Sequence, residues 1–193
     1  MNKVLKSELL KNIKQIDESI VNKTLAKELT TLNKKIIVLD DDPTGVQTIH
    51  DISVYTDWSA QTIADGFAEK NPMFFILTNS RAFTAEYTKK VHQDIAERIK
   101  ESQKTNKDFI IISRSDSTLR GHYPLETATL KETVEKLTHE KFDGEVLMPF
   151  FKEGGRFTIN NIHYVQEEDY LVPAGMTEFA KDKTFYYTSS TLP

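Results

Sequence analysis

Lys35-Ile36-Ile37-Val38-Leu39-Asp40-Asp41-Asp42-Pro43-Thr44-Gly45 is the stretch that decides the fold. Four consecutive aliphatics form a short continuous apolar run, which suits a strand buried on both faces in a parallel sheet covered by helices. The run stops at three carboxylates. Pro43 removes a backbone donor and fixes φ, so the strand ends there, and Gly45 lets the backbone turn and approach a neighbour closely. Open α/β sheets bind ligands outside the carboxyl ends of their strands. Three acids at such an edge repel one another and call for a cation, hydroxyls or an arginine beside them.

Outward from this stretch the same grammar repeats. Met73 to Leu77 and Phe109 to Ile112 read as buried strands, Asp51 to Thr56 as a further strand, and Glu145 to Met148 as a fourth apolar run after the Asp143-Gly144 turn. Between them, Trp58 to Lys70, the segment from Thr84 to about Lys104, and the segment from Pro124 to about Thr138 carry helical spacing, with Thr84 as a cap and Pro124 as a helix opener. The alternation predicts a three-layer α/β domain over 34–193, with a mostly parallel sheet flanked by helices. Residues 1–33 form a separate helical segment. Its apolar positions from Val4 to Leu32 recur at threes and fours with a break near Asn22, and they pack on the sheet or on a second subunit of a homo-oligomer. Phe157 to Ile159 and Ile162 to Val165 flank Asn160-Asn161 as a hairpin. Pro173-Ala174-Gly175 and the final residues read as loop.

The 193 residues suffice for one full α/β domain. A net charge of −4, with no Lys/Arg-rich stripe, argues against nucleic acid as a partner. The absence of cysteine excludes disulfides, thiolate-bound zinc and a thiol nucleophile. Neither a signal-peptide core nor a membrane-length apolar run is visible, so the expected location is the cytoplasm.

Four strand ends carry polar loops: Asp40 to Gly45, Thr78 to Arg81, Ser113 to His122, and Pro149 to Arg156. Carboxylates and amides bond sugar hydroxyls, and arginine offers a fork to a carboxylate or phosphate. A small polyhydroxylated anion fits that set. Of Arg81, Arg114, Arg120 and Arg156, Arg114 reads most readily as a surface charge. His92 and His139 fall on helix surfaces, whereas His122 and His163 lie in or near polar loops. No glycine-rich phosphate loop is recognisable, and no metal site is expected.

In order along the chain, Asp41-Asp42-Pro43-Thr44-Gly45, Asn79-Ser80-Arg81, Ser115-Asp116-Ser117-Thr118-Leu119-Arg120-Gly121-His122 and Pro149-Phe150-Phe151-Lys152-Glu153-Gly154-Gly155-Arg156 resemble the successive signatures of the four-carbon acid sugar kinase family. The resemblance implies ATP-dependent phosphorylation of threonate, erythronate or 3-oxo-tetronate. In that family an N-terminal domain holds the sugar acid and a separate C-terminal domain binds ATP with Mg²⁺. Within these motifs Asp41 and Asp42 are the candidates for orienting or deprotonating the attacking hydroxyl. Asp42, Thr44, Asn79, Ser80, Arg81, Ser115, Asp116, Arg120, Gly155 and Arg156 are the candidates for the substrate. The nucleotide site is not expected in these residues: either the sequence is truncated or a separate chain carries the nucleotide domain, and this chain alone is expected to be inactive. Two other readings stay open. Asp40-x-Asp42-x-Thr44, with Thr78-Asn79, also resembles the first motifs of haloacid-dehalogenase-like Mg²⁺-dependent phosphatases, with Asp40 as nucleophile. A non-catalytic sugar-acid-binding module is the third.

Overall fold

A computed structural model describes residues 2–103 and 108–192. They form two compact units, one made of residues 34–116 and 120–147, the other of residues up to 33, 117–119 and from 148 onward.

In the chain, β1 (Val4–Leu5), α1 (Lys6–Leu10) and α2 (Glu18–Thr31) precede β2 (Lys34–Asp40). After β2 come β3 (Val54–Tyr55), α3 (Ala60–Ala68), β4 (Met73–Leu77), α4 (Ala85–Gln103), β5 (Asp108–Arg114) and α5 (Leu125–Thr138). The chain then runs through β6 (Arg156–Ile159), β7 (Ile162–Glu167) and β8 (Tyr170–Pro173).

The larger unit is the expected α/β arrangement, a parallel sheet in the order β3-β4-β2-β5 flanked by helices. β2 lies between two partners, with Val38 opposite both Phe75 and Ile112, and its consecutive Ile37, Val38 and Leu39 are all buried, so both faces are covered and its apolar run is continuous rather than alternating. Ile37, Leu39, Phe74 and Ile76 share one face and form a single core with Ile63 and Phe67 of α3, Val91, Ile95 and Ile99 of α4, and Leu130 and Val134 of α5. Thr84 caps α4 as expected, its Oγ1 accepting the Tyr87 amide at 3.3 Å, and at the start of α3 Ser59 Oγ accepts the Thr62 amide at 3.2 Å.

Two strand expectations change. β5 is an edge strand, with Ile110 39% and Ile112 44% exposed. Glu145 to Met148 is not a strand: the segment carries no regular structure, and Val146 is 90% exposed. An apolar run becomes a strand only through a paired neighbour, and this one has none among the described residues.

In the smaller unit, β1-β8-β7-β6 form an antiparallel sheet. The Asn160-Asn161 hairpin forms as expected, both residues having positive φ (51° and 62°). The N-terminal segment differs from expectation. Val4 and Leu5 pair with β8, and the helical stretch breaks at 11–17 rather than near Asn22. Asp17 accepts the Ser19 amide at 2.9 Å and restarts the helix there. No residue of α2 is buried. The C-terminal loop is also more built-in than its sequence suggests, because the Ser190 carbonyl accepts the His163 amide and its hydroxyl accepts the Gly175 amide, both at 2.8 Å.

Candidate functional site

The parallel register sets Arg114 directly beside Asp40, the last residue of β2. Its guanidinium bonds the Asp40 carboxylate at 3.1 Å and reaches Asp41 at 3.6 Å and Asp42 at 3.9 Å. All three acids are buried. Arg114 therefore supplies the cation that this acidic turn requires, a correction to its reading as a surface charge.

The three carboxyls differ in their surroundings. Burial raises Asp40 to about 6 against the pull of Arg114. Gly45 is folded onto its carboxylate so tightly that an added Cβ would lie 1.8 Å from Oδ2. For Asp42, burial is outweighed by hydrogen bonds from the Thr44 hydroxyl and amide and by the charges of Arg81 and Arg114, which hold the carboxyl below its usual range. Asp41 is the outlier. Only 2% exposed, it is pushed up to about 7, first by burial and then by the Glu126 charge, against a hydrogen bond from Ser115 at 3.0 Å. Its other oxygen, Oδ1, is buried with no hydrogen-bond partner. Gly121, at φ 150°, closes over this pair. A Cβ there would sit 2.6 Å from Ser115 Oγ and 3.3 Å from Asp41 Oδ2.

The remaining expected residues of this unit join the same network. Arg81 is ion-paired with Asp42 and lies 3.3 Å from Asp116. Asp116 also holds Arg120, accepting from Nε at 2.8 Å and from the backbone amide at 3.3 Å. Asn79 has φ 55° and is exposed at the head of the turn that presents Arg81. Asp42, Arg81 and Asp116 thus share one edge of the sheet, as parallel strands require.

Ser80 lies behind the others, fully buried, and its hydroxyl donates to Glu126 at 2.6 Å. Glu126 and its neighbour His92, 3.6 Å apart, were not foreseen. His92 is in the core rather than on a helix surface. Neither carries a sequence signal, because a Glu in the first turn of a helix is ordinary.

Gly155 and Arg156 belong to the smaller unit. Gly155 has φ 73°, and its amide bonds the Lys152 carbonyl at 2.9 Å. Arg156 opens β6, bonds the Gly154 carbonyl and lies 5.4 Å over the Phe179 ring, with its Nε buried and unbonded. His163 is a core histidine there, bonded to Thr158 Oγ1 at 2.9 Å and to the Ser117 carbonyl at 2.8 Å.

Fold and site together define an α/β domain whose charged loops gather at the carboxyl edge of a parallel sheet, the edge at which such sheets take ligands. Residues 36–193 match the family described as the sugar-binding N-terminal domain, and the chain belongs to that family. This agrees with the resemblance to the four-carbon acid sugar kinases. Among solved structures it is similar to a domain of unknown function from Bordetella bronchiseptica, solved with bound citrate as a domain-swapped dimer. The TM-score is 0.58 at 22% identity, over 81% of this chain and 38% of that one. The chain thus spans about two fifths of the length of that neighbour. No curated protein matches significantly. No described helix is long and apolar enough to cross a membrane.

Proposed function

We propose that this chain is the substrate-binding part of an ATP-dependent kinase acting on a four-carbon acid sugar of the threonate, erythronate or 3-oxo-tetronate class. The observation that carries the reading is Asp41. A buried carboxyl raised to about 7, with one oxygen left without a hydrogen bond, suits a group that takes the proton of a substrate hydroxyl near neutral pH. Asp42, held ionised by Thr44 and Arg81, orients the same hydroxyl. Arg81 and Arg120 face the substrate carboxylate, and Thr44, Asn79, Ser115 and Asp116 serve its other hydroxyls. Ser80 supports the site from behind, while the roles of Gly155 and Arg156, in the smaller unit, rest on the family resemblance alone. Citrate in the solved neighbour is itself a hydroxy acid, and that neighbour's domain-swapped dimer supports self-association of this chain.

The family implies ATP and Mg²⁺. The acids at the β2 end are matched to arginines, and among the described residues no three His, Cys, Asp or Glu side chains are grouped to hold a metal ion. These residues do not fit a Mg²⁺–nucleotide site. The phosphatase reading suffers more, because it needs Asp40 as an accessible nucleophile, and Asp40 is buried under Gly45 and bonded to Arg114.

Calorimetric titration with threonate and with threitol at pH 8 tests the proposal. An arginine fork to a partly desolvated carboxylate is worth about 1.5–3 kcal/mol, so threonate binds the tighter of the two. Arg120→Met lowers threonate affinity about tenfold or more while leaving threitol unchanged. Equal binding of the two ligands by the wild type contradicts the proposal.

A further inference from the structure

Behind the acidic loop runs a buried polar chain that the proposed reaction does not itself use. Thr78, Ser80, Thr88, His92 and Glu126 are all at least 98% buried. Apolar packing at these positions would be the cheaper solution, because buried polar groups cost stability unless fully bonded.

The bonds have a direction. His92 Nδ1 lies 2.8 Å from the Thr88 carbonyl oxygen, which only accepts, so Nδ1 carries the hydrogen. That leaves Nε2 facing Glu126 Oε1 at 3.6 Å, so the imidazole backs the carboxylate. The same Oε1 accepts the Ser80 hydroxyl at 2.6 Å. Ser80 Oγ in turn accepts from Thr78 Oγ1 at 3.1 Å, and the Ser80 carbonyl accepts from Thr88 Oγ1 at 3.4 Å. Ser80 opens the short 3-10 turn Ser80–Ala82. The next residue is Arg81, whose amide bonds the Asp41 carbonyl at 3.3 Å and whose guanidinium spans Asp42 and Asp116.

We propose that Glu126, with His92 behind it, is a positioning residue of the sugar-acid site: it fixes Ser80 and thereby aims Arg81 between Asp42 and Asp116. This inference rests on the proposed function for its ligand but not for its geometry. Glu126 has a second action through charge. The groups facing Asp41 are Arg114 and Ser115 from the end of β5, Asp42 from its own loop, Arg81 from the turn and Glu126 from α5. Of the carboxylates among them, Glu126 raises Asp41 more than Asp42 does. One side chain thus sets the direction of the arginine and the proton affinity of the acid beside it.

The test uses the full chain and NMR, with Glu126→Gln and Ser80→Ala as variants. Gln keeps an oxygen for the Ser80 hydroxyl and removes the charge, whereas Ala removes only the hydroxyl link. In Glu126→Gln the Asp41 carboxyl carbon is expected to titrate about half a pH unit or more lower, because a like charge has been removed, with the Arg81 Nε resonance near its wild-type position. In Ser80→Ala the Arg81 resonance moves and the Asp41 midpoint stays. Threonate affinity at pH 8 falls about tenfold in Ser80→Ala and less than threefold in Glu126→Gln. If Glu126→Gln does not fold, the Arg81 shift in Ser80→Ala decides. An unmoved Asp41 midpoint in Glu126→Gln, or an unmoved Arg81 resonance in Ser80→Ala, overturns the inference. Failure of the wild type to bind threonate removes the functional reading and leaves both NMR outcomes to judge the positioning.

Discussion

Asp41 in the parallel-sheet unit and His163 in the hairpin unit are both buried titratable side chains, and they differ in how completely they are partnered. His163 is 0% exposed with a hydrogen-bonding neighbour at each ring nitrogen. Asp41 is as deeply buried, yet Oδ1 has no hydrogen bond, another carboxylate raises it further, and its proton affinity has risen by about three orders of magnitude. A fully bonded buried group stabilises its fold, while one left incompletely bonded costs stability and is kept where function needs it. In these two units burial therefore accompanies full bonding in one place and incomplete bonding in the other, and the proposed function gives the second a use.

His163→Leu strips the Ser117 carbonyl and Thr158 hydroxyl of a buried partner, and is expected to destabilise the chain by about 3 kcal/mol in urea unfolding. A loss below about 0.5 kcal/mol would remove His163 as the structural example. Gly45→Ala drives a Cβ into the Asp40 carboxylate, which Arg114 and burial prevent from yielding, and is expected to cost about 2 kcal/mol. The control is Gly144→Ala. Nothing lies within 4 Å of its added Cβ, and the variant should be within about 0.5 kcal/mol of wild type. Between these in effect, Asp42→Asn is expected to weaken threonate and threitol about equally, by roughly 1 kcal/mol, since the proposed function sets it at the hydroxyl end both ligands share. A loss confined to threonate would move Asp42 to the carboxylate end.

Much of this site is legible in the sequence because strand ends are legible. The apolar runs at 36–39 and 73–77 each stop at a polar cluster, and parallel pairing brings Asp42, Arg81 and Asp116 to one edge without further information. What stays hidden depends on register and depth. Arg114 looks like any surface arginine until β5 is aligned with β2, when it falls opposite Asp40. Glu126 and His92 sit at ordinary helical positions, and only the packing of α4 and α5 on the sheet buries them. The run at 145–148 fails for the opposite reason, because its composition suits a strand while no described neighbour pairs with it. Asp17 caps α2, but the apolar positions recur at threes and fours across residues 11–17, which hides the interruption there and shifts the expected break to Asn22.

Asp41 is buried at a cost, which the unfolding free energy of Asp41→Asn relative to wild type, measured from pH 4 to pH 8, would expose. A carboxyl raised from 3.8 to about 7 in the folded chain binds more protons folded than unfolded between those values. Its contribution to stability therefore falls as pH rises through that window and levels off above about 7. Asp40, raised to about 6, acts in the same sense but is common to both proteins and cancels in the difference. Asparagine cannot ionise, so the variant is expected to match wild type at pH 4 and to be more stable by about 2–4 kcal/mol at pH 8. A variant that is less stable than wild type at pH 8, by an amount that does not change with pH, contradicts the account.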